Sequence, residues 1–335
     1  MKRKLFILTL LTAAVLAGCG GGGDSAVTTS TPPSTPAAAP GIYVTNANNT
    51  VTVFALDANG NTAPLRTLGG ASTGLALPIG IATDRQGQLY VANRLGSKVT
   101  VYAITAAGDV APTRSITAAG MGSPQGLAIG PTDDLYVSTC PNCGSGAGGS
   151  TGVFHFNNGS STSDYQIAGA NTGMTVPSNI ALDSGRNLIV ANSFGGNVAV
   201  FAPGASGNTL PIRSFTSPAG ANVQGMSLGP NSGNNAIALT VPGRGVELYT
   251  STAGSGAVPA ATLAASSTLP IGYPGGVFFD NSVTPPIVYL VDYGSSAVHV
   301  IQTAGTAPNL TVASVKTIAG AATQLSSPLG LTVVR

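Results

Sequence analysis

The chain has no tryptophan, a single glutamate at Glu247, and only two histidines, His155 and His299. Acid–base and nucleophilic catalysis draws on such residues, so few catalytic constellations can be assembled from them. Charge of either sign is sparse as well, at 7% of residues, while 43% are hydrophobic. A disordered chain shows the reverse balance. The formal charge of +2 overstates the basic side, because Lys2, Arg3 and Lys4 all sit at the very N-terminus. Without those three, ten basic residues stand against eleven acidic ones. No basic field remains to attract phosphates, so nucleic acid is not an expected partner. What the chain does have is 46 glycines and 23 prolines, the composition of many short strands joined by turns.

The N-terminus reads Met-Lys-Arg-Lys, and Leu5 to Leu16 is apolar. A positive stretch before a short apolar one is the pattern of a secretory signal. It falls short of the roughly 20 apolar residues of a spanning helix, and no later segment is long and apolar enough either. The stretch ends Leu16-Ala17-Gly18-Cys19, which closely resembles the bacterial lipobox. The resemblance implies that residues 1–18 are a signal peptide, that cleavage precedes Cys19, and that the Cys19 sulfur carries diacylglycerol, usually with acylation of the new amino group. Two or more acyl chains anchor stably where one binds weakly. The expected location is extracytoplasmic and lipid-anchored. In lipoproteins, aspartate after the cysteine tends to mark inner-membrane retention; Gly20 stands there instead, which favours the outer membrane where a cell has one. Residues 19–40 continue as glycine, then serine, threonine, proline and alanine. This composition buries no core and makes a tether, at most roughly 70 Å long when extended.

Residues 41–335 are self-similar, with four strand-like pieces recurring in order. The first follows Pro-x-Gly, as in Pro78-Ile-Gly-Ile-Ala-Thr-Asp84, Pro124-Gln-Gly-Leu-Ala-Ile-Gly130 and Pro177-Ser-Asn-Ile-Ala-Leu-Asp183, with weaker copies from Val223 and Pro274. The second reads Leu89-Tyr-Val-Ala-Asn93, Leu188-Ile-Val-Ala-Asn192 and Val288-Tyr-Leu-Val-Asp292. The third is of the type Val99-Thr-Val-Tyr102, and the fourth of the type Pro64-Leu-Arg-Thr-Leu68. Anchored on Tyr43, Tyr90, Tyr136, Ile189, Ile237 and Tyr289 in the second piece, the steps are 47, 46, 53, 48 and 52 residues. Four short strands in such a period make one propeller blade. The repeat begins at Gly41 with a second strand that lacks a first, and Pro328-Leu-Gly-Leu-Thr-Val-Val334 supplies it. The sequence therefore predicts an all-β, six-bladed β-propeller over 41–335, with four-stranded blades and closure by pairing of N- and C-terminal strands, which leaves no open edge at the seam.

At these residues the chain resembles the NHL-repeat propellers, whose repeat reads Pro-x-Gly-Ile-Ala-x-Asp, a turn with glycine, then Leu-Tyr-Val-x-Asp and Val-x-x-Phe. The likeness is strong in blades 2 and 4 and poor in blade 5, and asparagine replaces the strand-ending aspartate at Asn46, Asn93 and Asn192. The resemblance implies a fold and hardly a function, because the architecture hosts enzymes, receptors and scaffolds. Gluconolactonase and regucalcin are six-bladed propellers that hold a divalent ion with Glu, Asn and Asp near the axis. Here the only glutamate falls in a third strand, Val246-Glu-Leu-Tyr249, away from the axis, so that ligand has no counterpart.

Strand-opening residues and second-strand ends should share one face of such a propeller. A ligand would be met there by a polar ring including Asn46, Asn93, Gln125, Asn192, Gln224 and Asp292. The competing reading is that the Asn and Asp residues are turn formers bonding their own backbone. Asp292 with Asn93 and Asn192 could form a weak Ca²⁺ site; no other metal or cofactor is expected. Asp84, Asp183 and Asp280 end first strands on the opposite face, as a carboxylate ring or, as Asp84-Arg-Gln-Gly87 suggests, as turns. His155 and His299 fall in third strands of different blades, where a shared triad is not expected. Arg66, Arg114 and Arg213 recur in outer strands and read as exposed. Cys140-Pro-Asn-Cys143 could serve zinc, redox exchange or a structural disulfide. Zinc lacks a second ligand pair, and the following glycines oppose the helix start a redox pair needs. A disulfide fits the oxidising compartment and would stabilise its loop by about 2 kcal/mol. These features favour a non-enzymatic binding or interaction propeller for a protein or small polar ligand. A lactonase-type hydrolase and a structural part of an envelope assembly are the alternatives.

Overall fold

The computed structural model describes residues 39–140, 152–218, 222–228 and 236–335. The expected signal peptide, Cys19 and most of the expected tether lie outside the described residues, as does Cys143. Six four-stranded antiparallel sheets form the blades of a propeller. Their inner strands are Pro328–Val334 in blade 1, Pro78–Thr83 in blade 2, Pro124–Ile129 in blade 3, Pro177–Leu182 in blade 4, Gly225–Leu228 in blade 5 and Pro274–Asp280 in blade 6. Each inner strand packs beside the next, and the last returns to the first, so the ring is closed. Closure joins the chain ends as expected: Gly41–Asn46 pairs along the C-terminal strand, with Tyr43 opposite Thr332 and Asn46 opposite Pro328.

Among the described residues no apolar core lies on the axis. The buried apolar side chains instead form six clusters, each shared by two adjacent blades. Between blades 1 and 2, for example, Tyr43, Val51 and Leu68 pack on Ile81, Val91 and Tyr102. Alternation along each strand sends one set of side chains to each neighbour. Burial of each large side chain in these layers is worth about 1.5–3 kcal/mol.

The Pro-x-Gly that opens the inner strands has a steric cause. A Cβ on Gly330 would overlap the Ile79 carbonyl oxygen of blade 2. Gly80 stands in the same relation to Gln125 of blade 3, Gly126 to Ser178 of blade 4, and Gly225 to Gly275 of blade 6. A Cβ on Gly276 would come within 2.9 Å of the Gly330 Cα of blade 1. Asn179 replaces the glycine in blade 4, and its Nδ2 donates to the Gln224 carbonyl of blade 5 at 2.8 Å. Hydroxyls near the ends of the second strands supply donors to alternate carbonyls of this ring. Thr45 donates to Ile79 O (2.8 Å), Ser138 to Ser178 O (2.8 Å) and Thr240 to Gly275 O (2.7 Å).

Two sequence readings are corrected here. In blade 5 the register pairs Gly225 with Thr240 and Ser227 with Ala238, so Ala238, not Ile237, occupies the anchor position. Thr240 is then the counterpart of Thr45, and Val241 takes the strand-end place. Nor are the outer-strand arginines simply exposed. Arg66 lies over the Tyr43 ring, 5.3 Å from its centroid, and donates to the Tyr43 hydroxyl and to Ile104 O of blade 2. Arg114 bonds Tyr90 and Ser160 O of blade 3, and Arg213 bonds Ser251 O of blade 5. These half-buried arginines tie blades together because guanidinium can stack and donate at once.

Gly80→Ala and Gly330→Ala force a methyl into the neighbouring blade's backbone. Each is expected to lower stability by about 1–3 kcal/mol, read as a fall in the urea midpoint with an unchanged slope. A midpoint equal to wild type would mean the close approach is not needed.

Candidate functional site

The registers place Pro78 opposite Asn93, Pro124 opposite Thr139, Pro177 opposite Asn192, Pro274 opposite Asp292 and Pro328 opposite Asn46. Strand openings and second-strand ends therefore do share a face. On it, however, Asn46, Asn93, Asn192 and Asp292 are each fully buried. Their side chains turn inward and hold the loop that opens their own blade. The Oδ1 atoms of Asn46, Asn93 and Asn192 accept the backbone N–H of Ser326, Ala76 and Thr175, each two residues before its proline. Asp292 does the same for Gly272, and also accepts from Tyr273 N, Gly294 N and the Ser295 hydroxyl. The turn-former reading describes these four residues, and the ligand-facing ring drawn from sequence loses them. The Ca²⁺ set is dispersed for the same reason: each oxygen group is committed within its own blade. Among the described residues no group of three or more His, Cys, Asp or Glu is arranged to hold a metal ion.

Gln125 and Gln224 remain at the mouth. Both line a cavity of about 420 Å³, together with Arg94, Phe194, Tyr273 and Tyr293. Phe194, Tyr273 and Tyr293 are 59%, 44% and 45% exposed, and they are the exposed Phe and Tyr residues among the described residues. Their positions follow from the buried clamps. Asp292 fixes the Tyr273 amide, and Tyr293 N in turn donates to Tyr273 O at 2.9 Å. Ser193 N donates to Val176 O, which sets the hairpin carrying Phe194, and Arg94 N donates to Leu77 O in the same way. The two tyrosine rings meet edge to face, 6.3 Å between centroids, and Gln224 Nε2 reaches the Tyr273 hydroxyl at 3.3 Å. Sequence reasoning missed Arg94, Phe194, Tyr273 and Tyr293. The available signal was an arginine or aromatic one or two residues past the strand-ending Asn or Asp, or just before a strand-opening proline, where a small polar turn residue is usual.

A second cavity, about 500 Å³, runs along the axis among the inner strands and shares Ile79, Asn179, Gln224 and Leu329 with the first. The two cavities meet at those four residues. On the opposite face, Asp84 accepts from Gln86 N, Gln88 N and the Tyr90 hydroxyl, Asp183 from Asn187, and Asp280 from Ser282 and Arg335. These carboxylates are turn formers. Burial, and then Asp84, push the Tyr90 phenol up to about 12.

The remaining chemical groups sit elsewhere. His155 is buried in blade 3, its ring stacked on Tyr165, with Nδ1 2.6 Å from Asp164 and Nε2 3.1 Å from Asp134. His299 is buried in blade 6 against Thr317. Glu247 is fully buried in blade 5, accepting from Ser217, Tyr249 and Arg244. Cys140 is buried and disulfide-bonded.

No family model matches the chain, and no curated protein does. Solved structures match its fold. A protein of unknown function from Bacteroides caccae is 10% identical, with 89% of this chain and all of that one covered, at a TM-score of 0.59. A chain of the nidogen/laminin complex is 13% identical, with 88% and 98% covered, at 0.56. Virginiamycin B lyase from Staphylococcus aureus is 12% identical, with 78% and 74% covered, at 0.51. The chain is thus a six-bladed propeller similar to others of diverse function, and the NHL likeness is one of architecture.

Burial opposes ionisation of Asp292, but its four hydrogen bonds outweigh that and hold the carboxyl below its ordinary value. Burial lowers His299, against the pull of Asp292. Both shifts act in one direction. The unfolded chain binds protons first, so stability is lost as pH falls, from about 6.5 downward for His299 and from about 3.9 downward for Asp292. Asp292→Asn would set an amide N–H against backbone donors. It is expected to lower stability by about 1–3 kcal/mol at pH 7 and to flatten the fall below pH 4. A variant as stable as wild type at both pH values would show that Asp292 does not hold the loop.

Proposed function

We propose that this chain is an extracytoplasmic, lipid-anchored binding propeller that takes its ligand at the aromatic mouth. One observation carries the reading: the exposed Phe and Tyr side chains among the described residues converge on a single cavity, whose volume of about 420 Å³ falls within the usual range for small-ligand sites. Aromatic faces left in water are costly unless something covers them, and a rigid scaffold that holds them open favours binding. The buried Asn and Asp clamps are such a scaffold. The lipobox and the tether support display outside the cytoplasm, with the propeller standing off the membrane. The nidogen structure is a propeller found in a complex with laminin, which is consistent with a binding role for this architecture.

The two halves of the proposal separate experimentally. Labelled palmitate should enter the wild-type chain in its own cell and not the Cys19→Ala variant, which should leave the membrane fraction. For binding, thermal unfolding of the full chain is followed against a panel of small molecules. A ligand at a hundred times its Kd adds about 2.7 kcal/mol, and Phe194→Ala with Tyr293→Ala should abolish that shift. A shift that survives both substitutions would place the site away from the mouth.

A further inference from the structure

Taking the mouth as the binding site, an assignment this step rests on, we infer that its ligand is a neutral saccharide: one or two sugar rings, or the end of a longer glycan. The charges around the cavity argue for neutrality. No carboxylate is among the described lining residues, and Asp292, which holds the Tyr273 loop, is fully buried with its oxygens committed to four donors. A cationic ligand therefore finds no counter-charge. Arg94 is the one charged side chain among the described lining residues and already has a partner of its own, which leaves little to balance an anion.

The polar groups argue against a wholly apolar ligand. Gln125 Nε2 donates to Ser123 O and Gln224 Nε2 to the Tyr273 hydroxyl. No described residue donates to the Oε1 atom of either, and both residues line the cavity, Gln125 from a largely buried position. Covering them with hydrocarbon would strip their water without replacement. A ligand is needed that offers C–H faces to aromatic rings and hydroxyls to amides at the same time. A pyranose does both: its ring hydrogens lie on one face and its hydroxyls around the edge. Phe194 supplies an exposed face, and Tyr273 and Tyr293, turned 69° to each other, supply two walls.

The shape argues against an extended peptide. A peptide strand needs a groove open at both ends or a free sheet edge. Here the cavity is ringed by a strand-opening residue from every blade, Leu329, Ile79, Gln125, Ser178, Gln224 and Gly275, so it is a round mouth and not a groove. A compact ligand or a chain end fits such a site.

The test uses the full chain in a detergent without sugar head groups, which would themselves compete. The protein is applied to an array of neutral and acidic glycans, and to displayed random heptapeptides. Hits are followed by saturation-transfer NMR with the free di- or trisaccharide. The expected result is binding to at least one neutral glycan, with saturation strongest on ring C–H protons. Phe194→Ala and Tyr293→Ala should each weaken it about tenfold or more, with unfolding midpoints near wild type because both side chains are exposed. Gln125→Ala should weaken it as well. Binding to acidic glycans alone, or to no glycan, overturns the saccharide assignment; peptide binding that the two aromatic substitutions abolish would do so while keeping the mouth as the site. Glycan binding untouched by both substitutions overturns the mouth reading itself.

Discussion

Around the axis, the backbone of each blade lies so close to the next that almost no side chain can stand between them. Gly330, Gly80, Gly126, Gly225 and Gly276 each face the backbone of the following blade, and at the one exception the Asn179 amide turns the contact into a hydrogen bond. The rest of the structure depends on this ring of approaches. It fixes the spacing of the inner strands. That spacing sets the thickness available to the six apolar layers, and it leaves strand-opening carbonyls buried at the contact. Buried carbonyls need donors, and Thr45, Ser138 and Thr240 provide them in alternate blades. Farther out, Arg66, Arg114 and Arg213 hold neighbouring blades by guanidinium–carbonyl bonds. The propeller is thus tied between blades at two radii, with hydrocarbon in between.

The same geometry builds the mouth. Each strand-opening loop must turn sharply just before its proline, and Leu77, Ser123 and Ser327 do so with positive φ, at 48°, 46° and 46°. Such conformations are strained for residues with side chains and persist only where their surroundings hold them. The Asn and Asp side chains at the second-strand ends hold the loops of blades 1, 2, 4 and 6, reinforced by backbone bonds from the residue that follows. Phe194, Tyr273 and Tyr293 project from loops fixed in this way. Polar residues do the holding, and aromatic ones face the solvent. This inverts the usual placement and is the physical basis for reading the face as a binding surface.

How much of this was legible in the sequence depended on periodicity. Pro-x-Gly, Leu-Tyr-Val and the split terminal repeat were enough for blade number, strand count and closure, because each records a constraint repeated around the ring. Blade 5 was misaligned by one residue where Val223 replaces the proline and Ala238 the tyrosine; with both landmarks gone, Ile237 was the nearest bulky substitute. The strand-end Asn and Asp were placed on the right face, but whether a polar side chain points out or folds back to its own loop is not visible in residue type. The outer arginines were read as exposed for a similar reason, since the sequence does not show that each spans to the next blade. Aromatics past the strand ends carried the mouth, and they were passed over because they break the repeat.

Buried Asn and Asp side chains, rather than facing a ligand, lock the loops from which the mouth is built. Native-state amide hydrogen exchange tests this most directly, at the N–H groups of Ser326, Ala76, Thr175 and Gly272. These four loop amides are expected to exchange as slowly as the amides of the second strands, opening only with the whole blade. Exchange at the rate of exposed loop amides, such as that of Asn48, would contradict it.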